Sequence, residues 1–284
     1  MSHNPRDPKT LLKSNALAAR KRYGQNFLID ENILQKIAHS APIDKKTLVV
    51  EIGPGLGALT RYLLAQALAV LAYEIDEGLV KLLNKHFTQQ HFHLIHDDVL
   101  KRNIDQDIAA LNIAYDQVVL VANLPYYITT AVLMQCLEQT KSLTHLSVLM
   151  QYEVAQRITA KPSTKAYNAL SVIIAYRANA KVAFKVPASV FVPAPKVDSA
   201  LVTLTIQPSK HTPKDEAFFF ALVKAAFKQR RKTLLNNLAE FIEVPKAEIA
   251  NWLKTLTINP NARAETLEVD TFIQIADKVY EHLQ

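Results

Sequence analysis

Glycine is scarce in this chain, and three of its five glycines fall within Glu51–Gly57, which reads Glu-Ile-Gly-Pro-Gly-Leu-Gly. The apolar run Leu48–Ile52 predicts a short buried strand, and Ala58–Ala69 has apolar residues at helical spacing. A strand, a glycine turn and a helix bring backbone N–H groups toward a nucleotide-like ligand. An ordinary tight turn is the alternative. We favour a ligand loop because the rest of the chain contains so little glycine.

The spacing of Gly53, Gly55 and Ala58 also fits the G-x-G-x-x-G/A pattern of dinucleotide-binding proteins. Glu74 lies 21 residues after Gly53, at the end of the apolar run Ala67–Tyr73. A second parallel strand that ends here presents a carboxylate to ribose hydroxyls. Both NAD and S-adenosylmethionine carry such a ribose, so these residues leave the choice between the two cofactors open.

A third motif separates the two cofactors. The apolar run Val118–Ala122 predicts a strand, and Asn123-Leu124-Pro125-Tyr126 follows at its carboxyl end, where α/β proteins place their sites. An amino group on an aromatic ring is a poor nucleophile, because its nitrogen lone pair is delocalised. The side-chain oxygen of Asn123 and the main-chain oxygen of Leu124 can accept its two N–H groups, while Tyr126 stacks on the ring. Such hydrogen bonds localise the lone pair for attack on an electrophilic methyl group without a metal, which favours S-adenosylmethionine.

Several motifs together resemble one known family. Seven blocks keep the order and spacing of the ribosomal RNA adenine N6-dimethyltransferase family over most of the 284 residues, and the chain is most similar to the family's bacterial small-subunit (16S rRNA) branch. The blocks are Gly24–Leu28, Glu51–Gly57, Glu74–Asp76, Asp98–Leu100, Asn123–Tyr126, Phe191–Ala200 and Phe227–Thr233. One departure is Tyr127, which stands where many relatives have Asn.

The resemblance implies a reaction and a substrate. We expect S-adenosylmethionine-dependent N6,N6-dimethylation of two adjacent adenosines near the 3′ end of small-subunit rRNA, late in subunit assembly. Each adenosine would be displaced from its RNA stack to enter the site. The expected partners are the small ribosomal subunit and its rRNA, and the enzyme is expected to be a monomer.

The resemblance also assigns individual residues. Asn26 and Leu28 line the methionine and sulfonium side of the cofactor pocket, and Asp98, rather than Asp97, accepts a hydrogen bond from the cofactor's adenine amino group. Phe191 sandwiches the target adenine opposite Tyr126, although the residues alone favour a phenylalanine packed beneath its loop. The predicted catalytic residues are Asn123, Leu124, Tyr126 and Phe191, and the predicted cofactor-binding residues are Asn26, Leu28, Gly53, Gly55, Glu74, Asp98 and Asn123.

The overall pattern predicts an α/β protein with a Rossmann-like, doubly wound sheet and a small α-helical C-terminal domain. We expect further strands at Phe92–Ile95, Leu146–Met150, Ala180–Val186 and Ser199–Ile206. The resemblance implies that the last two form an antiparallel, hairpin-like end to the sheet. Further helices are expected at Leu79–Phe87, Thr130–Gln139, Gln151–Thr159, Glu216–Phe227, Lys232–Ile242, Lys246–Leu256 and Thr271–Leu283.

Composition divides the chain into three parts. Residues 1–22 are rich in Lys and Arg and predict a basic arm, which either touches RNA phosphates or is a solvated tail; an Arg-rich organelle transit peptide is a remote third alternative. Residues 23–207 are the expected catalytic domain, and the proline-containing segment 207–214 is the expected linker. Residues 208–284 are expected to form a helical RNA-binding domain. Its candidate phosphate contacts are Lys228, Arg230, Arg231 and Lys232, for which a solvated helix face is the alternative.

Charge, cysteine content and hydropathy restrict the class of protein. The net charge of +7 suits a polyanionic partner, although an ordinary basic protein explains it equally well. The single cysteine, Cys136, excludes an internal disulfide framework and is expected to pack in a helix core. No apolar stretch reaches bilayer length and no secretory signal is seen, so we expect a cytoplasmic protein.

Strand alternation places His96 on the opposite face from His91 and His93, so we expect no metal site at these three histidines.

Three other functions share some of these features. A relative that methylates large-subunit RNA would have the same catalytic residues, but the block Pro195–Ala200 and the helical tail favour the small-subunit substrate. A non-enzymatic assembly factor would bind the immature subunit without methylating it. A nicotinamide oxidoreductase would bind NAD at the glycine loop.

Overall fold

The computed structural model describes Thr10, Arg20 and residues 23–207 and 211–283. The predicted basic arm lies outside the described residues except for Thr10 and Arg20, and so do residues 208–210 of the predicted linker. The described chain forms two compact units. The first contains the described residues of 1–155 together with Ala180–Ile206, and the second contains Gln156–Asn179 and the described residues of 207–284.

Seven of the strands in the described chain form one sheet. The strands are β1 (Phe27–Leu28), β2 (Thr47–Ile52), β3 (Ala69–Glu74), β4 (Phe92–His96), β5 (Gln117–Asn123), β6 (Leu143–Gln151), β7 (Ala178–Val186), β8 (Phe191–Val192) and β9 (Ser199–Ile206). Their order in the large sheet is β4-β3-β2-β5-β6-β9-β7, and β1 pairs with β8 in a separate two-stranded sheet. Strands β2 to β6 are parallel, whereas β9 runs antiparallel to β6 and β7 lies beside β9.

The central strands are apolar because they are buried along their length. Every residue of β2 and β3 is buried, as expected for parallel strands in the middle of a sheet. One core cluster joins Val49, Val70 and Val119 of the sheet to Leu34 and Leu63 of the connecting helices. The connecting helices are α1 (Glu31–Ala38), α2 (Thr60–Gln66), α3 (Glu77–His86), α4 (Ile104–Ala110), α5 (Thr129–Gln139) and α6 (Tyr152–Ile158).

The strand order reverses beside β2. From β2 the chain adds β3 and β4 on one side and then β5 and β6 on the other. In the register of the sheet, Ile52 lies opposite Tyr73, and Glu74 lies opposite His96. The loops after β2, β3 and β5 therefore leave the same edge of the sheet at the point where α/β proteins bind their ligands.

The second unit is helical and contains one helix that the sequence analysis did not predict. Its helices are α7 (Ala169–Arg177), α8 (Glu216–Ala226), α9 (Leu234–Ala239), α10 (Lys246–Thr255) and α11 (Val269–Leu283). The unpredicted helix is α7, which is apolar on nearly every side and so has no amphipathic stripe. A local signal was present, because Asn168 and Ser171 form a reciprocal capping box at its start.

The position of α7 makes the compact units differ from the predicted domains. Residues 156–179, assigned from sequence to the 23–207 domain, cluster with the C-terminal helices. The Tyr176 ring lies 4.9 Å from that of Phe219, and its hydroxyl donates a 2.7 Å hydrogen bond to Glu216. Arg177 pairs with the same Glu216 carboxylate at 2.6 Å. These contacts bury the apolar surface of α7 against α8.

The predicted fold class is confirmed as an α/β, Rossmann-like sheet with a helical C-terminal part. The predicted strands and helices are all present, with bounds that differ by at most three residues at either end. Cys136 is buried on α5, as predicted, and burial raises the pKa of its thiol to about 12. Within the described ranges, no helix combines the length and apolarity needed to cross a bilayer.

Candidate active site

A cavity of about 620 Å³ lies at the carboxyl ends of β2, β3 and β5, within the range typical of small-molecule sites. Nine of the predicted residues line it, namely Asn26, Leu28, Gly53, Gly55, Glu74, Asp98, Asn123, Leu124 and Tyr126. Phe191 does not. Among the described residues, no cluster of three or more His, Cys, Asp or Glu side chains is arranged as a metal site.

The glycine loop joins β2 to α2 along one wall of the cavity. Gly57 has φ +77°, and a Cβ there would lie 2.3 Å from the Phe87 ring, so only glycine fits without a shift. The backbone N–H of Gly53 donates to Tyr73 O at 2.9 Å, which ties the loop to the end of β3. The loop is therefore fixed by its packing before any ligand arrives.

Glu74 holds the turns on both sides of it. One carboxylate oxygen accepts the N–H of Gly55 at 3.2 Å, and the other accepts the N–H groups of Ile75 and Asp76 at 2.9 Å each. The side chain is only 5% exposed, and burial raises its pKa although these hydrogen bonds oppose the rise. The carboxylate retains acceptor capacity beyond these three bonds, because each oxygen has two lone-pair directions.

Glu51 is a second buried carboxylate in the cavity wall, and the sequence analysis did not include it among the site residues. It is 1% exposed, and its Oε2 atom has no hydrogen-bond partner among the described residues. Burial raises its pKa to about 8, the neighbouring Thr60 hydroxyl opposes the rise, and the nearby Glu74 carboxylate adds to it. The sequence feature that could have identified Glu51 is its position as an acidic residue in an otherwise apolar strand, just before the glycine loop.

The two aspartates after β4 have different contacts. Asp97 accepts the N–H of Asp98 at 2.7 Å and lies 3.7 Å from Arg102. Asp98 accepts the N–H of Leu100 through Oδ1 at 3.0 Å, which leaves Oδ2 for another donor. Asp97 is thus engaged within the protein, while Asp98 keeps an oxygen for a ligand at the cavity.

The segment before β1 reaches the motif at the end of β5. The side-chain amide of Asn123 donates to the main-chain oxygen of Asn26 at 3.3 Å, and the Asn26 side chain donates to Gly24 O at 3.1 Å. The hydrogen bond to Asn26 O uses the Nδ2 group of Asn123 and so orients the side-chain amide. The Oδ1 atom of Asn123 then remains available to accept a hydrogen bond from a ligand. Leu124 uses its N–H to bond Leu149 O at 3.3 Å, and no partner of the Leu124 carbonyl is seen in the described chain.

Tyr126 is half-buried beside these two acceptors. Its hydroxyl is 2.7 Å from the Ser199 hydroxyl, on the antiparallel strand β9. Burial raises the pKa of Tyr126, so its phenol is neutral near pH 7. The Ser199 contact holds the far end of the ring, which leaves the aromatic face as the part available for stacking.

Phe191 departs from its predicted position. Its side chain is 2% exposed and belongs to the core cluster that also contains Leu28 and Leu201. Strand pairing places Phe191 opposite Leu28 in the β1–β8 sheet. In this structure the ring packs in the same core cluster as Leu28, which lines the cavity, and it would have to leave the core to stack on a base.

The four predicted RNA contacts lie in the second unit, and three have acidic neighbours. Lys228 and Lys232 both pair with Glu240, and Arg230 pairs with Glu265 at 2.9 Å. Arg231 is exposed and has no ion-pair partner among the described residues. The two carboxylates offset half of the four positive charges, and Arg231 is the member without an ion-pair partner among the described residues.

Comparison with known proteins shows which family this chain belongs to. The sequence profile described as "Ribosomal RNA adenine dimethylase" matches residues 16–281. The chain is 44% identical over 275 residues to a Streptococcus sanguinis protein named "Ribosomal RNA small subunit methyltransferase A", covering 95% of this chain and 94% of that protein. The protein of the same name from Lactiplantibacillus plantarum is 44% identical over 283 residues, covering 98% and 96%.

The chain belongs to the ribosomal RNA adenine dimethylase family. The predicted family, enzyme class and cofactor are thereby confirmed: this is an S-adenosylmethionine-dependent rRNA adenine dimethyltransferase.

Solved structures agree on the fold. A dimethyladenosine transferase from Plasmodium falciparum has a TM-score of 0.71 at 24% identity, covering 88% of this chain and 95% of that one. The 23S rRNA methyltransferase ErmE has a TM-score of 0.64 at 24% identity, covering 90% and 100%.

The cavity suits the family's cofactor by the chemistry of its donors and acceptors. S-adenosylmethionine carries a cationic amino group, a ribose diol and an adenine amino group. The unpartnered Glu51 oxygen, the Glu74 carboxylate and the free Asp98 oxygen provide one acceptor for each. The residues present therefore fit the cofactor.

We expect the stability of the ligand-free protein to fall as the pH rises from about 5.5 to 7.5. Glu51 has a higher pKa in the folded chain than in the unfolded chain, so raising the pH in this window favours unfolding. The Glu51 carboxyl can lower the free energy of unfolding by at most about 1.4 kcal/mol for each pH unit. The Glu51→Gln variant should lack this pH dependence. Urea denaturation at several pH values measures it, with the exposed Glu77→Gln as control. Parallel curves for the wild type and Glu51→Gln would contradict the prediction.

We expect Gly57→Ala to destabilise the protein more than Gly53→Ala. Both positions have positive φ, so alanine is strained at either. At Gly57 the new methyl also meets Phe87, whereas at Gly53 the nearest atom is 3.8 Å away, on Pro125. Overpacking should add about 1–3 kcal/mol at Gly57. If urea denaturation showed the same decrease in the free energy of unfolding for both variants, the Phe87 ring would be able to move aside without cost, which contradicts the prediction.

Proposed function

We propose that this enzyme transfers two methyl groups to N6 of each of two adjacent adenosines near the 3′ end of 16S rRNA. We further propose that it acts as a monomer in the cytoplasm, on the small subunit late in assembly. The observation that supports the adenosine assignment most directly is the pairing of acceptors at the cavity, where Asn123 Oδ1 and the Leu124 carbonyl remain available. The names of the end-to-end relatives support the small subunit as the substrate.

The two acceptors act on the target nitrogen. They would hold the two N–H groups of the adenine amino group, which localises its lone pair and directs it toward the cavity. Asn123 is oriented for this by its bond to Asn26, so little reorganisation is needed when the base enters. After the first transfer one N–H remains, and either acceptor can hold it during the second.

Tyr126 is proposed to position the base. Its tethered ring offers a stacking face, and stacking on an aromatic side chain is worth about 1–3 kcal/mol per base. Phe191 is left in the core, where it supports Leu28. The base is thus held by one ring and two acceptors.

The cofactor is proposed to lie along the opposite wall of the cavity, held by Glu51, Glu74 and Asp98 and by the backbone at Gly53 and Gly55. When bound, S-adenosylmethionine supplies an electrophilic methyl group on a sulfonium. No residue in the cavity has to act as a strong base, because the methylated, cationic nitrogen can lose its proton to water. Positioning and exclusion of water then provide most of the rate enhancement.

The test is to incubate the protein with labelled S-adenosylmethionine and unmodified small subunits, digest the RNA and search for N6,N6-dimethyladenosine. Label at two neighbouring adenosines of the small-subunit RNA supports the proposal. Label found instead on large subunits offered in parallel would reassign the substrate, and binding without transfer would favour an assembly factor.

We expect Asn123→Ala to lower the transfer rate by at least about 100-fold, because an acceptor that acts during the reaction is lost. Affinity for S-adenosylhomocysteine should change little, since the proposed arrangement assigns the Asn123 side chain to the base and leaves it out of the groups that hold the cofactor. Single-turnover methylation and calorimetric titration measure the two quantities. Asn84→Ala, an exposed asparagine on α3, serves as the matched control. Parallel loss of transfer and of cofactor affinity would contradict this role.

We expect Arg231→Ala to weaken binding to small-subunit RNA about threefold to tenfold at low salt and to reduce the slope of log K against log salt by about one. The reason is that Arg231 is the unpaired cation of its cluster. Lys254→Ala, an exposed cation on α10, controls for net charge. Filter binding across a salt series measures the effect, and an equal loss for both variants would show non-specific attraction only.

A further inference from the structure

Among the Phe and Tyr side chains that line the cavity in the described chain, Tyr127 alone is exposed. It is 59% exposed, more than any other large apolar side chain described. Its neighbour Tyr126 is half-buried and tethered to Ser199. The two consecutive tyrosines thus have different surroundings, and the proposed methyl transfer uses only the first.

The backbone of Gly24 passes directly against the Tyr127 ring. Gly24 has φ +57°, and a Cβ placed on it would lie 3.2 Å from ring atom Cδ1 of Tyr127 and 3.7 Å from Cβ of Pro125. Any other residue would be strained at this φ, and its Cβ would crowd the ring, so the position favours glycine. The ring and the Gly24 segment therefore form one packed layer.

The Gly24 segment is itself held in place. The Asn26 side chain donates to Gly24 O, and Gln25 donates to the buried Asp76 carboxylate at 3.2 Å. Arg20 pairs with Asp76 at 3.3 Å. Since Asp76 also caps α3 through the N–H of Gly78 at 2.9 Å, the segment is fastened to the turn that follows Glu74.

Tyr127 lines the same cavity as Asp98 and Glu74. Burial raises the pKa of its phenol, and the carboxylates of Asp98 and Glu74 add to the rise. These two carboxylates are the acceptors assigned to the adenine and the ribose of the cofactor. In the proposed cofactor arrangement, the ring would therefore stand at the adenosine end of the cavity.

We propose that Tyr127 closes the adenosine end of the cofactor cavity, packing on Gly24 on one side and on the bound adenosine on the other, and so slows cofactor release. The inference rests on the proposed arrangement of the cofactor. It divides the two tyrosines by role: Tyr126 receives the base, and Tyr127 retains the cofactor. The aromatic ring of Tyr127, and not its hydroxyl group, makes the contact with the adenosine.

The test is the affinity for S-adenosylhomocysteine, measured by calorimetry without RNA, for the wild type, Tyr127→Phe and Tyr127→Ala. Removing the ring should weaken binding about tenfold, whereas Tyr127→Phe should remain within about twofold of the wild type. In methylation assays on small subunits, KM for S-adenosylmethionine should rise in parallel in Tyr127→Ala, and kcat should fall much less. Tyr115→Ala, an exposed tyrosine outside the cavity, should match the wild type throughout.

Two further variants guard against a folding defect in Tyr127→Ala. Tyr127→Asn also removes the ring and should weaken binding similarly, and Gly24→Ala should do so by displacing the ring while Tyr127 is intact. Unchanged affinity in both ring-less variants, or equal losses in Tyr127→Phe and Tyr127→Ala, would overturn the proposal. A raised KM for RNA with unchanged cofactor affinity would overturn it in favour of an RNA contact. Failure of the wild type to bind S-adenosylhomocysteine would refute the proposed cofactor arrangement itself, a result distinct from all of these.

Discussion

The cavity depends on one buried carboxylate. Glu74 accepts three backbone N–H groups, from Gly55 on the glycine loop and from Ile75 and Asp76 in the next turn. Without these bonds, the ends of β2 and β3 would have unpaired donors where the chain cannot form regular secondary structure. A carboxylate can serve both turns because its two oxygens accept several hydrogen bonds, and it still faces the cavity. The group that shapes the site is thus also available to a ligand.

Local patterns were sufficient to predict most of the fold and six of the nine predicted catalytic and cofactor residues that line the cavity. The glycine loop, Glu74 and the Asn123–Tyr126 motif each follow a strongly apolar strand, and parallel strands bring their carboxyl ends to one edge. Resemblance added Asn26, Leu28 and Asp98, which carry little signal on their own. The assignment of each role within the cavity remains a prediction from sequence.

What could not be predicted depended on packing between distant residues. The residues alone favoured a buried Phe191 and the resemblance favoured an exposed one; the β1–β8 pairing buries it. Helix α7 lacks the apolar stripe that marks a surface helix, because it is surrounded by its own unit. The unusual protonation of Glu51 likewise arises from enclosure by β2 and its neighbours, which the strand's own sequence cannot show.

The small β1–β8 sheet has a consequence for how the protein is made. Leu28 finds its partner Phe191 only after 163 further residues have been synthesised. At roughly 5–20 residues per second, the ribosome needs on the order of ten seconds or more to deliver that partner. During translation the early strand therefore has no pairing surface of its own, and the floor of the cavity is completed only when most of the chain has emerged.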